Sequence, residues 1–328
     1  MANKQNFRNI GFYVNWAQFI EGEKYNSPSA YPKGLDRIIY AHLMFGVEPH
    51  PDLSPNTGCT YTTPPNANYG DLPHDPFLDS SSLHFPKENP LIWGTYMMLP
   101  NDCFTGKPPD LYLTDPECFK QLQKLKNSNP ALKVMMSYGG WSWTHGGTAY
   151  SSISATKFHD MVSNLQSMQA FIKLSYEFIT SYGFDGIDFD WKFPGQTLGT
   201  DISQNDAYMD FRNIEFLIYY YRKHVVSQGN PDFLITMQCS GSLSPDIVAH
   251  RYPDMLNDHD YYRWINFLLS NGLSEVTLLS NPNVQTTLSD PNLFNLALGL
   301  EDPDLSEKIA SAKKRGLGGA VLYPSVAL

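Results

Sequence analysis

The 328-residue chain reads as one α/β domain over 1–328, an eight-stranded (β/α)8 barrel of the TIM type. Three observations predict this fold. Short runs rich in β-branched and aromatic residues alternate with amphipathic helical stretches along the whole length, which is the order of a parallel sheet. Eight such runs fit the size of a closed barrel better than an open doubly wound sheet. No GxGxxG or Walker-type turn follows any of them, so nothing marks a phosphate-binding crevice.

Strands are expected at 10–16, 37–45, 132–138, 184–191, 233–239 and 317–323. Two weaker runs complete the eight. The run 265–270 follows an Asp/Tyr-rich turn, and 296–300 is a short apolar stretch at a glycine. Helices are expected at 156–182 and 205–228, where apolar residues recur at three-and-four spacing and a glycine stands at the C-terminal end. The segment 47–114 is rich in Pro, Asn, Asp and Tyr, lacks periodicity and far exceeds an ordinary βα connection. It is expected to be an elaborated loop on the C-terminal face, walling one side of any cleft. The sequence reaches Leu328 soon after the eighth run, so no complete eighth helix is expected. The apolar outside of the seam between last and first strands then needs a terminal segment or another protein to cover it.

A net charge of −10, with no basic run longer than Lys313-Lys314-Arg315, offers no footprint for a nucleic-acid backbone or an anionic membrane surface. No apolar stretch approaches a membrane span, and residues 1–8 lack the apolar core of a secretory signal. The compartment is therefore not fixed. Cys59, Cys103, Cys118 and Cys239 form no CxxC pair and read as unpaired, although Cys103 and Cys118 are close enough in sequence to bridge in an oxidising compartment. The nine histidines form no HExxH or close cluster, so each, His42 and His145 included, reads as structural or surface. Neither a metal nor any other cofactor is expected.

The most specific feature is the stretch Phe184-Asp185-Gly186-Ile187-Asp188-Phe189-Asp190-Trp191-Lys192. Alternation along a strand places Asp188, Asp190 and Lys192 on one face, spaced ~6.6 Å apart in succession. Inside a barrel, two carboxylates and an ammonium are costly to desolvate and need each other or a ligand.

This pattern resembles that of the family 18 glycoside hydrolases, the chitinase family, whose fourth strand carries Asp-x-x-Asp-x-Asp-x-Glu. Asp185, Asp188 and Asp190 match, and Lys192 stands where the glutamate belongs. Gly11-Phe12-Tyr13-Val14-Asn15-Trp16 is similar to the first strand, 40–45 to the second, Ser137-Tyr138-Gly139-Gly140-Trp141 to the Ser-x-Gly-Gly third strand, and Leu317-Gly318-Gly319 opens the eighth. The resemblance spans nearly the whole chain. It implies a catalytic position at Lys192, Asp190, Asp188 and Asp185, and sugar contacts from Trp16, Phe45, Gly139, Gly140, Trp141, Asn271 and Tyr323.

In the family the glutamate protonates the glycosidic oxygen while the substrate's own N-acetyl group attacks, held by the last aspartate. An ammonium holds its proton too tightly for that task, and loss of a general acid costs roughly two to four orders of magnitude in rate. Other family positions have drifted too. The Met-x-Tyr-Asp of the sixth strand aligns with Leu269, Ser270, Asn271 and Gly272, and Tyr323 takes the place of the tryptophan floor. No separate chitin-binding domain or late α/β insertion is recognisable. Several losses around one subsite point to a natural pseudoenzyme rather than a single engineered change. The expected function is therefore a non-catalytic scaffold, complex subunit or protein-binding module, with a protein partner at the uncovered seam. The other readings are a lectin for N-acetylglucosamine oligomers or chitin, and a hydrolase with residual or unusual activity.

Overall fold

A computed structural model describes residues 7–14, 24–25, 27–45, 92–93, 115–140, 157–192, 194–196, 202–243, 247, 252, 254–280 and 288–324. Eight parallel strands close into a ring: β1 (Arg8–Val14), β2 (Arg37–Phe45), β3 (Lys133–Gly139), β4 (Gly186–Asp190), β5 (Leu234–Cys239), β6 (Glu275–Leu278), β7 (Phe294–Gly299) and β8 (Gly319–Tyr323). Each pairs with its neighbours in chain order, and β8 pairs with β1. This is the barrel that the alternating pattern predicts. A two-residue strand, Ile92–Trp93, pairs antiparallel with Met44 and Phe45. The remainder of the expected 47–114 loop lies outside the described residues.

Six α-helices lie among the described residues: α1 (Asp115–Ser128), α2 (Lys157–Ser163), α3 (Leu165–Ser181), α4 (Gln204–Ser227), α5 (Asp258–Ser270) and α6 (Leu305–Lys314). None is long and apolar enough to cross a membrane. The single helix expected at 156–182 is two, because the Asn164 side chain accepts from the N–H groups of Gln166 and Ser167 and starts α3 afresh. No helix follows β8 among the described residues.

The strand expected at 265–270 is instead the last part of α5. Asn257 caps this helix through the N–H of Asp260, and Tyr261, Tyr262, Trp264, Ile265 and Leu268 form its buried stripe at helical spacing. The sixth strand follows, at Glu275–Leu278. The tetrapeptide Leu-Leu-Ser-Asn occurs twice, at 268–271 and 278–281. The first copy ends α5, and Leu278 of the second ends the sixth strand.

Alternation sorts the strands into two apolar clusters. Tyr13, Ile38, Tyr40, Met136, Ile187, Phe189, Met237 and Leu278 face outward into the helical layer. Ile10, Phe12, Val14, Ile39, Ala41, Met135, Val321 and Tyr323 fill the interior. Below this interior plug, at the strand starts, Glu275 accepts both guanidinium N–H groups of Arg37 at 2.9 Å and the Asn295 amide at 2.8 Å. Arg8 Nε stands 3.3 Å from the same carboxylate. Burial disfavours the Glu275 charge, but the two arginines and Asn295 outweigh it and hold this carboxyl below the ordinary glutamate range.

Candidate functional site

The opposite end of the plug is polar. Asp188 and Asp190 point inward from β4 and are fully buried. Asp188 Oδ2 accepts from Ser137 Oγ at 2.7 Å and Gln238 Nε2 at 3.0 Å, and its Oδ1 accepts from Thr236 Oγ1 at 2.6 Å. Burial is the dominant influence and raises the Asp188 pKa despite these three donors, with the Asp190 charge adding to the shift. Asp190 behaves oppositely. Burial works against its charge, yet Lys192 and His42 prevail and hold it below the ordinary aspartate value.

Lys192 Nζ lies 3.4 Å from Asp190 Oδ1, with the lysine side chain only 15% exposed. His42 Nε2 lies 2.6 Å from Asp190 Oδ2. Three of the four carboxylate oxygens of the Asp188 and Asp190 pair thus accept hydrogen bonds or contact a ring nitrogen within the barrel, and the fourth, Asp190 Oδ1, has the Lys192 ammonium as its ion-pair partner.

His42 was expected to be a satisfied structural or surface residue, and it is buried, with Asp190 as its partner. With Ile39 and Ala41 facing inward, strict alternation turns residue 42 outward. The β2 pairing with β3 skips a residue, however, placing Ala41 beside Ser137 and Leu43 beside Tyr138. Such a bulge re-aims the side chain it contains, here toward Asp190. Gly139 and Gly140 make the approach feasible. A Cβ on Gly140 (φ +95°) would sit 2.9 to 3.1 Å from three His42 ring atoms, and one on Gly139 (φ +109°) would collide with the Asp190 carbonyl. These two glycines therefore shape the site as spacers beneath the histidine and β4.

The implied site residues divide. Lys192, Asp190, Asp188, Gly139 and Gly140 converge, and Phe45 ends β2 at the same face. Trp16 and Trp141 lie outside the described residues. Asp185 does not join: its carboxylate binds Lys126 Nζ, Lys133 Nζ at 3.1 Å and the Val134 N–H at 2.8 Å. It precedes β4, about 16 Å of strand from Asp190 at ordinary rise, and ties that strand to α1 and β3. Asn271 caps the C-terminus of α5, its amide donating to the Phe267 carbonyl at 2.8 Å, before β6 begins. It stands at the strand-start end of the barrel, opposite Asp190. The expected match of Leu269, Ser270, Asn271 and Gly272 to Met-x-Tyr-Asp thus falls at the end of α5 and the turn after it, not on β6.

Tyr323 differs from the expected open floor. It is fully buried, with its ring stacked on Phe12 at 4.3 Å between centroids. Thr236 and Gln238 were missed, yet two polar residues at alternate positions in the otherwise apolar run Leu-Ile-Thr-Met-Gln-Cys are the signal that could have found them.

The sequence profile described as Glycosyl hydrolases family 18 matches residues 8–277. Chitinase A1 of Niallia circulans is 26% identical over 191 residues, covering 57% of this chain and 23% of that protein. The match thus spans about a quarter of that relative's length. Among solved structures, the Ostrinia furnacalis Group II chitinase catalytic domain 2 superposes with a TM-score of 0.60 at 13% identity, covering 98% of this chain and 90% of that one. Human YKL-39, described as a pseudo-chitinase with retained chitooligosaccharide binding properties, gives 0.58 at 12% identity, covering 97% and 92%. At these identities the likeness to both structures is one of fold.

Proposed function

The chain belongs to family 18 of the glycosyl hydrolases, and from that premise we propose that it holds N-acetylglucosamine oligomers without cleaving them. One observation supports this reading: Lys192, which the fourth-strand resemblance sets in the place of the family's glutamate, lies 3.4 Å from Asp190. Cleavage in this family needs a carboxylic acid there to protonate the leaving oxygen. An ammonium donates hydrogen bonds to sugar oxygens but is not the carboxylic acid that this step uses. Asp190 is the group that should orient the attacking acetamido, and it is occupied by Lys192 and His42. The lysine thus removes the acid and occupies the partner of the nucleophile in one substitution. YKL-39, of the same fold, offers a precedent for separating binding from cutting.

The test is retention of the purified chain on chitin beads, with soluble tetramer to hexamer incubated in parallel and analysed by mass spectrometry. Retention with intact oligomers is the expected result. Shorter products would make the chain a hydrolase.

A second reading, a protein-binding module, is favoured by a separate feature. The outer face of α4 leaves Met209, Phe216 and Tyr219 about half exposed, and Phe267 of α5 is exposed to a similar degree. Absence of retention on chitin, together with a discrete higher-mass complex isolated under native conditions, would favour it.

A further inference from the structure

The segment that carries Lys192 is bracketed from the helical layer. On one side Trp191 stacks on Phe158 of α2, with centroids 4.9 Å apart and planes inclined by 21°. On the other side Gly195 is held at both of its peptide groups. Its N–H donates to the carboxyl of Asp210 on α4, and its carbonyl accepts from the Tyr252 hydroxyl at 3.1 Å. Gly195 has φ +81°, and the Phe211 ring occupies the space a side chain would need. Asp210 is 1% exposed. Its other partner is His159 Nδ1 at 2.7 Å, on the residue that follows Phe158. One short helix, α2, therefore touches both ends of the lysine segment: directly through Phe158, and through Asp210 by way of His159.

Ser163 Oγ lies 3.3 Å from His159 Nε2, which gives the row Ser163, His159, Asp210 the order of a hydrolytic triad. The N–H groups of Gln166 and Ser167 at the start of α3, the kind of donors an oxyanion needs, already donate to Asn164 Oδ1. The row is better suited to holding than to chemistry.

We propose that Asp210 is a positioning residue for the site: with His159 it fixes Gly195, and through Gly195 the seat of the Lys192 ammonium against Asp190, and its protonation loosens that seat. The consequence for sugar affinity rests on the oligosaccharide-binding reading; the loop geometry does not. A carboxylate is a stronger acceptor for the Gly195 N–H and the imidazole than the protonated acid is. Burial pushes the Asp210 carboxyl up to about 6, against the opposing pull of His159 and the Gly195 N–H. For His159, burial opposes the charge, but Asp210 prevails, helped by Asp160 on α2 and Asp206 on α4, and raises its pKa. Those two aspartates are the other charges acting on the pair, while at the inner end Asp190 faces the ammonium and has His42 on its other oxygen. The latch is thus closed at neutral pH and opens in mildly acidic solution.

The experiment uses the full chain labelled with 5-fluorotryptophan, with the Trp191 fluorine resonance assigned through Trp191→Phe. The expected result is a Trp191 shift that titrates with a midpoint near 6, is abolished in Asp210→Asn, and moves to higher pH in His159→Gln, which keeps a donor but removes the cation. A merely structural role for the pair would not move a midpoint. A flat Trp191 resonance between pH 7.5 and 5, or an unchanged titration in Asp210→Asn, would overturn the proposal. In parallel, chitohexaose affinity is measured at pH 7 and pH 5, with several-fold weakening expected in the natural chain and none in Asp210→Asn. Failure to bind at either pH would sink the oligosaccharide reading, and the fluorine titration would still decide the latch.

Discussion

His42 Nε2 and Asp190 Oδ2 meet at 2.6 Å inside the barrel, 148 residues apart in sequence, with both side chains almost entirely shielded from water. This contact and the Lys192 ammonium are the two counter-charges that face Asp190. Removing the imidazole should strand a buried carboxylate. His42→Ala is expected to cost about 3 kcal/mol of unfolding free energy, read from denaturant midpoints at pH 7. A loss below measurement error would mean that the histidine does not support Asp190.

Gly140 should be nearly as sensitive, although it carries no chemistry. A methyl group there meets the His42 ring at 2.9 Å from a left-handed backbone. Gly140→Ala is expected to destabilise the protein by roughly 2 kcal/mol, and the double variant with His42→Ala by less than the sum of the two, because the collision is with the ring. Full additivity in a double-mutant cycle would contradict this account.

Lys192 sets the sign of a pH dependence. In the natural chain the folded pKa of Asp190 lies below its ordinary value, so the group contributes stability above that value, and this is lost as pH falls through the folded pKa. Lys192→Met leaves burial dominant, which raises the Asp190 pKa. Its stability deficit should therefore grow from pH 4.5 to pH 7. A deficit that shrinks over that window would show that the lysine is not the principal counter-charge.

Restoring the acid should not restore cleavage. Lys192→Glu is expected to release no product from chitin oligomers, because Asp190 stays held by His42 and Tyr323 is buried against Phe12. Hydrolysis by this variant would mean that the lysine alone silences an otherwise competent cleft.

At the strand-start end, Glu275 neutralises Arg37 and lies close to Arg8. Glu275→Gln is expected to lose about 3 to 5 kcal/mol at pH 7, as breaking a buried ion pair does. Because the folded pKa is depressed, the penalty should diminish as pH falls through that value. An equal penalty at pH 7 and pH 3 would contradict the pairing.

Much of the barrel was legible because parallel strands buried on both faces announce themselves as apolar runs. Positions 37–45 match β2 to the residue, and the fourth-strand motif put Asp188, Asp190 and Lys192 together by alternation alone. The sixth strand was not legible, because Ile265 and Leu268 lie in an apolar run that reads as a strand until the Asn257 cap and the aromatics at 261, 262 and 264 are counted into a helical stripe. Asn271, expected as a sugar contact on the sixth strand, falls instead at the C-terminal cap of α5. His42 was hidden for a different reason. A bulge reverses alternation locally, and no period-two reading of β2 turns residue 42 inward. Asp185 shared a motif with the inner carboxylates, but its odd position and early place in the run put it among lysines outside the ring.

The central claim is that the lysine replaced cutting with holding. Calorimetric titration of the purified chain with N-acetylglucosamine hexamer tests it most directly, because one trace reports both saturable binding and any continuing heat of turnover. The account predicts saturation with a flat baseline afterwards and intact hexamer recovered from the cell. Continuing heat with shortened oligomers, or no heat of binding at all, would contradict it.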